Sequence, residues 1–587
     1  MYILFEEHQY DYSDVKDVLK GIYDLQDVDK KVSVPYVGYF YNPHLDGGDC
    51  VFILPKVLMK EEVLNEEDPK VKIDVIANVT RGQDKKSVRP EDIIKPEDQE
   101  KNLSETYRKF IYGFSVWIYR ALNVYYRTNP RSQAIFYKQL PQAGKGRKDH
   151  VKTYLDIVLS LVRFNQENRD FVLFTIKNLH RGNNKINWSR TISHSQAFIQ
   201  DNEVVYLNPV NKKRMVNYEE ELFIIYFSIL NYLNDEYGFR APINIQYELI
   251  TGMQFKQYKN GMGKIRLRQI KYKYFSDKTL QLWDLCYAFF ENTHRIAINT
   301  NAQEYILAKS FHIVFEAMID ELIGDNPLPD GMEKKQEDGK IVDHLFTAKS
   351  LIENNGNSKI YYIGDSKYYK IGHELGDESI YKQYTYARNV IQWNIDIKNG
   401  INKYAKTSEI NLRDDLTEGY NIMPNFFLSA KVNEKFDYTD DVIDKTDRKN
   451  RRHKKVHFEN RLFDRNTLLL SHYDVNFLYV LSLYARNNAL RKLNWKQQVR
   501  EKICCEIQDW LQEEYNFYLL EPKDVSLEEA VNKHFKLLNG KIYRLNDNDN
   551  KLILALDKDK KFDTENESLL NEIDKDFNRT DYSLITP

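Results

Sequence analysis

The sequence predicts a multidomain α/β protein. A β-rich N-terminal domain comes first, then a mainly helical middle region with a basic β-ribbon. A C-terminal core follows, with a mixed sheet flanked by helices. Three observations predict this order. Apolar residues alternate in "VSVPYVGYFYN" and "DCVFILPKVLM" near the N-terminus, the two-residue period of a strand. From about residue 103 the spacing becomes helical, as in "SETYRKFIYGFSVWIYRALNVYYR". Short apolar strands return at "GKIVDHLFTAK" and "YYIGDSKYYK", between helical stretches. A chain of 587 residues holds roughly three or four domains. The expected boundaries are 1–100, 101–298, 299–490 with a basic insertion near 440–458, and 491–587.

Composition excludes several classes. Hydrophobic residues make up 42% and charged residues 29%, ordinary for a globular protein. No apolar run reaches the ~18 residues that would cross a bilayer. The longest, "LFIIYFSILNYL" at 222–233, reads as a buried helix, so no membrane partner is expected. The start, "MYILFEEHQYDY", lacks the basic opening of a signal peptide, which points to the cytoplasm. Cys50, Cys286, Cys504 and Cys505 have neither the number nor the spacing of a disulfide framework or zinc site. A formal net charge of −2 leaves room for local basic patches.

In the first hundred residues the two alternating strands flank the turn "PHLDGGD", and "TRGQDKKSVRPEDIIKPEDQEKN" reads as a linker or long loop. Helices are expected from Ser104, at about 152–165 and 217–235. The segment 251–275, "TGMQFKQYKNGMGKIRLRQIKYKYF", holds seven Lys or Arg and no acid. Lys264, Arg266 and Arg268 alternate with apolar residues, as do Lys271 and Lys273 after a phase slip. A hairpin through "KNGMG" would make this a basic ribbon. It reads either as a charge-protected edge strand or as a phosphate-contacting surface. Helices are expected again at 278–293, 301–323 and near 379–396. "TLLLSHYDVNFLYVLSLYAR" reads as a strand running into a helix. The run "RKNRRHKK" at 448–455, with Arg451 and Arg452, reads as an exposed segment or a DNA-backbone contact. Residues 546–578 have charged, low-complexity character.

The candidate site lies in the third region. Asp343 interrupts one apolar strand, and Asp365 and Lys367 end the next. The connection "SLIENNGNSK" suits a hairpin, so the two aspartates would stand on neighbouring strands. Adjacent carboxylates repel, and a hard divalent cation such as magnesium stabilises both in ionised form. Asp365 and Lys367 are two apart and project from one strand face. Upstream, Glu316 lies within the amphipathic stretch "AKSFHIVFEAMIDELIG", a third carboxylate or an exposed helix acid. Downstream, Lys382 and Tyr386 share a helix face, with Gln383 beside them.

This order of helix, strand, strand and helix resembles the PD-(D/E)xK nuclease superfamily. The resemblance implies magnesium at Asp343 and Asp365, with manganese able to substitute. It also implies help from the Ser366 carbonyl, Glu316 as auxiliary ligand, and Lys367 orienting or activating the attacking water. Two departures stand out. Val342 precedes Asp343 where the family name implies proline, and the literal Pro329–Asp330 sits in loop composition. Lys382 takes the place of the glutamine expected four residues before Tyr386. "YVGYFYN", "CVFILPKVLM", "DSKYYK" and "YTYA" resemble the McrC-like nuclease subunit of McrBC-type restriction systems, closest to the LlaJI subfamily. "LRQIKYKYFSDKTL" and "SHYDVNFLYVLSLYAR" would belong to the same resemblance.

That resemblance implies a bacterial phage-defence endonuclease acting on double-stranded DNA, with dimerisation serving double-strand cleavage. An AAA+ GTPase partner, McrB-like, would use the GTP, and the N-terminal domain would contact it. No G-x-x-x-x-G-K-[ST] phosphate loop occurs in this chain. Two alternatives remain open. One is a non-catalytic DNA-binding adaptor that stimulates the motor, and the other is a stand-alone restriction endonuclease.

Overall fold

The structure is a computed structural model. It describes the chain outside residues 21–30, 43, 46–48, 66–67, 82–85, 141–150, 153, 180–184, 292–295, 298–302, 329–333, 336–340, 353–358, 374–375, 400–409, 411, 446–452, 457, 545–549 and 585–587. Asp330, Arg451 and Arg452 fall outside the described residues.

The N-terminal alternation forms β1 (Tyr2–Phe5), β2 (Tyr36–Asn42) and β3 (Asp49–Leu54), and a hairpin of β4 (Met59–Asn65) and β5 (Asp68–Ile76) follows. The stretch expected as a linker is instead packed structure, with a helix at Pro96–Asn102. Its buried Gln99 donates to the Met1 carbonyl at 3.1 Å and the Ile93 carbonyl at 3.0 Å, which straps it to β1. Helix α1 (Glu105–Thr128) starts as expected: the Ser104 side chain accepts from the Tyr107 amide. Then come β6 (Ile135–Leu140) and α2 (Tyr154–Glu167). Two ribbons follow, built from β7 (Phe174–Leu179), β8 (Ala197–Gln200), β9 (Glu203–Tyr206) and β10 (Asn211–Val216). Helix α3 (Glu221–Tyr237) ends at Gly238, whose φ of 69° suits glycine.

The basic β-ribbon expected at 251–275 is not there: the segment is helical. A short helix at Gly252–Gln257 runs through a π-helical turn at Tyr258–Met262 into α4 (Gly263–Ile270). The alternation at 264–268 was a local coincidence. Buried Phe255, Tyr258, Leu267 and Ile270 recur at spacings of three, nine and three residues, and this helical stripe packs on α5 (Asp277–Glu291). Gly263 permits the approach, since a Cβ there would stand 2.8 Å from the Phe290 ring. The helix expected at 301–323 is also two elements, β11 (Gln303–Lys309) and α6 (Phe311–Ile323). Tertiary pairing decides this: β11 sits between β2 and β6, giving the N-terminal sheet the order β1-β3-β2-β11-β6.

The C-terminal region contains β12 (His344–Lys349), β13 (Lys359–Lys367), α7 (Asp377–Lys398), β14 (Pro424–Lys431), β15 (Ile443–Lys445), β16 (His453–Val456), β17 (Leu468–Asn476) and α8 (Phe477–Arg486). Its mixed sheet has the order β12-β13-β14-β17-β15, and β16 also pairs with β17. The β13–β14 and β14–β17 pairs are parallel, and β12 runs antiparallel to β13. The long α9 (Ala489–Glu514) braces this sheet: Arg500 pairs with Asp325 at 2.7 Å and Gln508 donates to the Leu351 carbonyl at 3.0 Å. The charged stretch near 546–578 is folded over its described residues. β18 (Tyr515–Pro522), α10 (Leu527–Leu538), β19 (Ile542–Tyr543), β20 (Leu552–Asp557), α11 (Asp563–Ile573) and β21 (Phe577–Asp581) enclose their own core, including Leu552, Leu554 and Leu556.

The chain is thus mixed α/β with several separate sheets. Among the described residues, no helix is long and apolar enough to cross a membrane.

Candidate active site

β13 carries the motif. It lies inside its sheet, with His344 opposite Gly364 on one side and Asp365 beside Phe427 on the other. Gly364 is required there, because a Cβ would lie 2.5 Å from the Phe426 ring and 3.2 Å from the His344 Cβ. Asp365 is 1% exposed and Lys367 7%. Strand alternation puts them on one face, and Lys367 Nζ lies 2.7 Å from Asp365 Oδ2. That contact is a charge pair without the direction of a hydrogen bond, so Oδ2 is left with no hydrogen-bond partner among the described residues. Lys367 also lies over the Phe427 ring, 5.2 Å from its centre.

Asp343 immediately precedes β12 rather than lying within it, as expected from the sequence. The structure nevertheless brings it to Asp365. Burial pushes the Asp343 carboxyl well up, and the Asp365 carboxylate, within hydrogen-bonding reach, and Glu316 push it further. Glu316 projects from α6, and its carboxyl is pushed up to about 6 by burial, then by Asp365. Burial works against the Lys382 charge, but Tyr386, Asp343 and Asp365 outweigh it and hold the ammonium above its ordinary range. Lys382 Nζ stands 5.4 Å from the centre of the Tyr386 ring. Gln383 is 0% exposed, and neither atom of its amide has a partner among the described residues.

The donor set suits a hard cation in part. Two buried carboxylates within reach of each other, Asp343 and Asp365, are oxygen donors of the kind that magnesium with several waters accepts. Among the described residues, no three His, Cys, Asp or Glu side chains are grouped closely enough to hold a metal together. Asp343 and Asp365 could hold such an ion as a pair.

Sequence reasoning missed a polar network behind the motif. His344 is fully buried, and its Nε2 is hydrogen-bonded to the Ser366 hydroxyl. Its Nδ1 stands 3.5 Å from Asp320 Oδ1, and Lys334 pairs with Asp320 Oδ2 at 2.6 Å. Lys334 also donates to the Asp343 carbonyl at 2.7 Å. Ser366, between Asp365 and Lys367, is thus held through its side chain. The available signals were His344 next to Asp343 and Asp320 one turn beyond Glu316.

A second missed feature ties the end of β13 to the β4–β5 hairpin and to Glu6, just past β1. Tyr368 donates to Glu6 at 2.5 Å, and Lys370 pairs with Asp74 at 2.8 Å. Asp74 also accepts His8 at 2.7 Å, and the Ile371 amide donates to the Met59 carbonyl. Burial pushes the Glu6 carboxyl up to about 7, against the pull of Tyr368 and Lys56.

The basic residues of 251–275 are not brought to this site by any contact among the described residues. Lys264 pairs with Glu291 and Arg266 with Glu221, both at 2.8 Å. Arg268 donates to the Tyr287 hydroxyl at 2.8 Å, and Lys271 covers the Trp283 ring at 4.1 Å. Lys273 is exposed.

No family model matches this chain, and no curated protein does. Among solved structures, it is similar to a chain from a tetradecameric assembly of Thermococcus gammatolerans McrB AAA+ hexamers with bound McrC. Identity is 12%, the match covers 84% of this chain and 99% of that one, and the TM-score is 0.27.

Proposed function

We propose that this chain is a magnesium-dependent DNA endonuclease that hydrolyses phosphodiester bonds in a GTP-dependent restriction system. The observation that carries the reading is Asp343 beside Asp365, with Lys367 on the same strand face as Asp365. Asp343, Asp365 and the Ser366 carbonyl would hold the metal. Magnesium, when bound, supplies Lewis acidity toward a phosphoryl oxygen. Lys367 places a fixed ammonium where negative charge develops and orients the water. The His344–Ser366 bond and Gly364 keep the motif's backbone in place. Glu316, its carboxyl pushed up to about 6 by burial and then by Asp365, stands beside this pair as the auxiliary carboxylate. The AAA+ GTPase partner, the N-terminal contact with it and membership of the McrC-like family rest on the sequence resemblance.

The 2.7 Å Lys367–Asp365 contact also favours a second reading, a structural ion pair in a non-catalytic DNA-binding adaptor. The two part company in one assay. Supercoiled DNA is incubated with magnesium, with and without the GTPase partner and GTP, using the parent chain and Lys367→Ala. A nuclease loses cleavage on substitution, whereas an adaptor cuts nothing in either form.

A further inference from the structure

Residues 174–216 form an appendage that the carboxylate site does not use. β7 and β10 pair antiparallel from Phe174 opposite Val216 to Leu179 opposite Asn211. They form a two-stranded sheet with no third strand among the described residues. The register sets Lys177 directly opposite Lys213, Ile176 opposite Arg214, and Asn178 opposite Lys212. Opposed residues share a face and neighbours alternate, so Lys177 and Lys213 stand on one face, Arg214 and Lys212 on the other. Lys177, Lys213 and Arg214 are exposed. No carboxylate is paired with any of the four cations among the described residues. Ile176 is 59% exposed, and Arg214 lies 3.8 Å over the Phe174 ring. The Lys212 amide donates to the carbonyl of exposed Lys185 at 2.8 Å, which adds a further cation at that end.

Two features are costly in the isolated chain. Like charges directly opposed across strands repel, and a lone two-stranded ribbon is marginal in water. A polyanion relieves both. Cations on both faces suit a groove with a phosphate strand on each side, whereas a flat acidic surface would meet only one face. The major groove, about 12 Å wide, admits a two-stranded ribbon. Exposed Phe174 and Ile176 would then meet apolar base edges such as thymine methyl groups.

We infer that the β7–β10 ribbon is a duplex-DNA contact, with Lys177, Lys212, Lys213 and Arg214 seated between the two phosphate strands of one groove. The inference takes its substrate class from the nuclease reading. The test is fluorescence anisotropy of the full chain in EDTA, on a short duplex and a single strand of equal length, between about 50 and 200 mM salt. K177Q/K213Q/R214Q should bind duplex about 10- to 100-fold more weakly, and its log K against log salt slope should fall by about 2 to 3. K177R/K213R should bind like the parent, and neither variant should melt below it, because the substituted side chains are exposed and the glutamines remove the opposed like charges. If the triple variant melts early, K177Q/K213Q takes its place. An unchanged affinity and slope overturns the inference, as does a parent that prefers single strand. Asp365→Asn should bind duplex normally. A chain that binds through the ribbon but never cuts defeats the nuclease reading alone.

Discussion

Replacing Asp343 with asparagine should stabilise the metal-free protein while removing its activity. The Asp343 carboxyl is held well up by burial and by Asp365, so the folded chain keeps a proton that an unfolded aspartate loses near pH ~4. For a carboxyl raised in the fold, stability falls as pH rises from the unfolded pKa to the folded one. A proton retained to neutrality corresponds to at most about 4 kcal/mol at pH 7. Relaxation and water entry around a half-buried group reduce that to about 1–2 kcal/mol. Asparagine keeps the shape and lacks the charge. In EDTA, the parent should therefore lose more thermal stability between about pH 5 and 8 than Asp343→Asn, which keeps only the smaller loss from Glu6 and Glu316. At pH 8 the variant should melt about 1–3 °C above the parent, and at pH 4 the two should coincide. Magnesium should raise the parent at pH 8 and leave the variant nearly unmoved. A variant that melts below the parent at pH 8 in EDTA refutes the paired-carboxylate account.

Other outcomes follow from the same geometry. Lys367→Ala should lower cleavage at least about 100-fold with little change in duplex affinity in EDTA, as measured by single-turnover kinetics and anisotropy. Gly364→Ala should cost about 1–3 kcal/mol, because the new Cβ meets the Phe426 ring at 2.5 Å, read as a lowered urea midpoint. Tyr368→Phe removes the donor to Glu6, whose carboxyl already sits up at about 7. Tyr368 favours the ionised form, so the loss of about 1–2 kcal/mol should be larger at pH 8 than at pH 5, where Glu6 is protonated in both proteins. A pH-independent loss contradicts that role.

Much of the site was legible because its signals are local. Strand alternation joins Asp365 to Lys367, and a hairpin joins Asp343 to them. Glu316 among apolar neighbours marks a helix that faces a sheet. What escaped depends on distant partners. β11 is a strand because β2 and β6 hold it on both edges, and its own sequence, "QEYILAK", suits either state. The basic segment 251–275 was misread because five alternating residues outweighed a longer stripe at helical spacing. The ribbon formed by β7 and β10 lies across an intervening ribbon and a short helix, which hides its pairing from local patterns. The Tyr368–Glu6 bond spans 362 residues and has no sequence signature.

The central claim is that Asp343 and Asp365 make this chain a nuclease. The most direct measurement is cleavage of supercoiled DNA by the purified parent and Asp365→Asn, each with the GTPase partner and GTP, in magnesium and in EDTA. The account predicts cleavage by the parent in magnesium alone, and none by Asp365→Asn although it still binds duplex. Cleavage of equal rate by Asp365→Asn, or by the parent in EDTA, contradicts it.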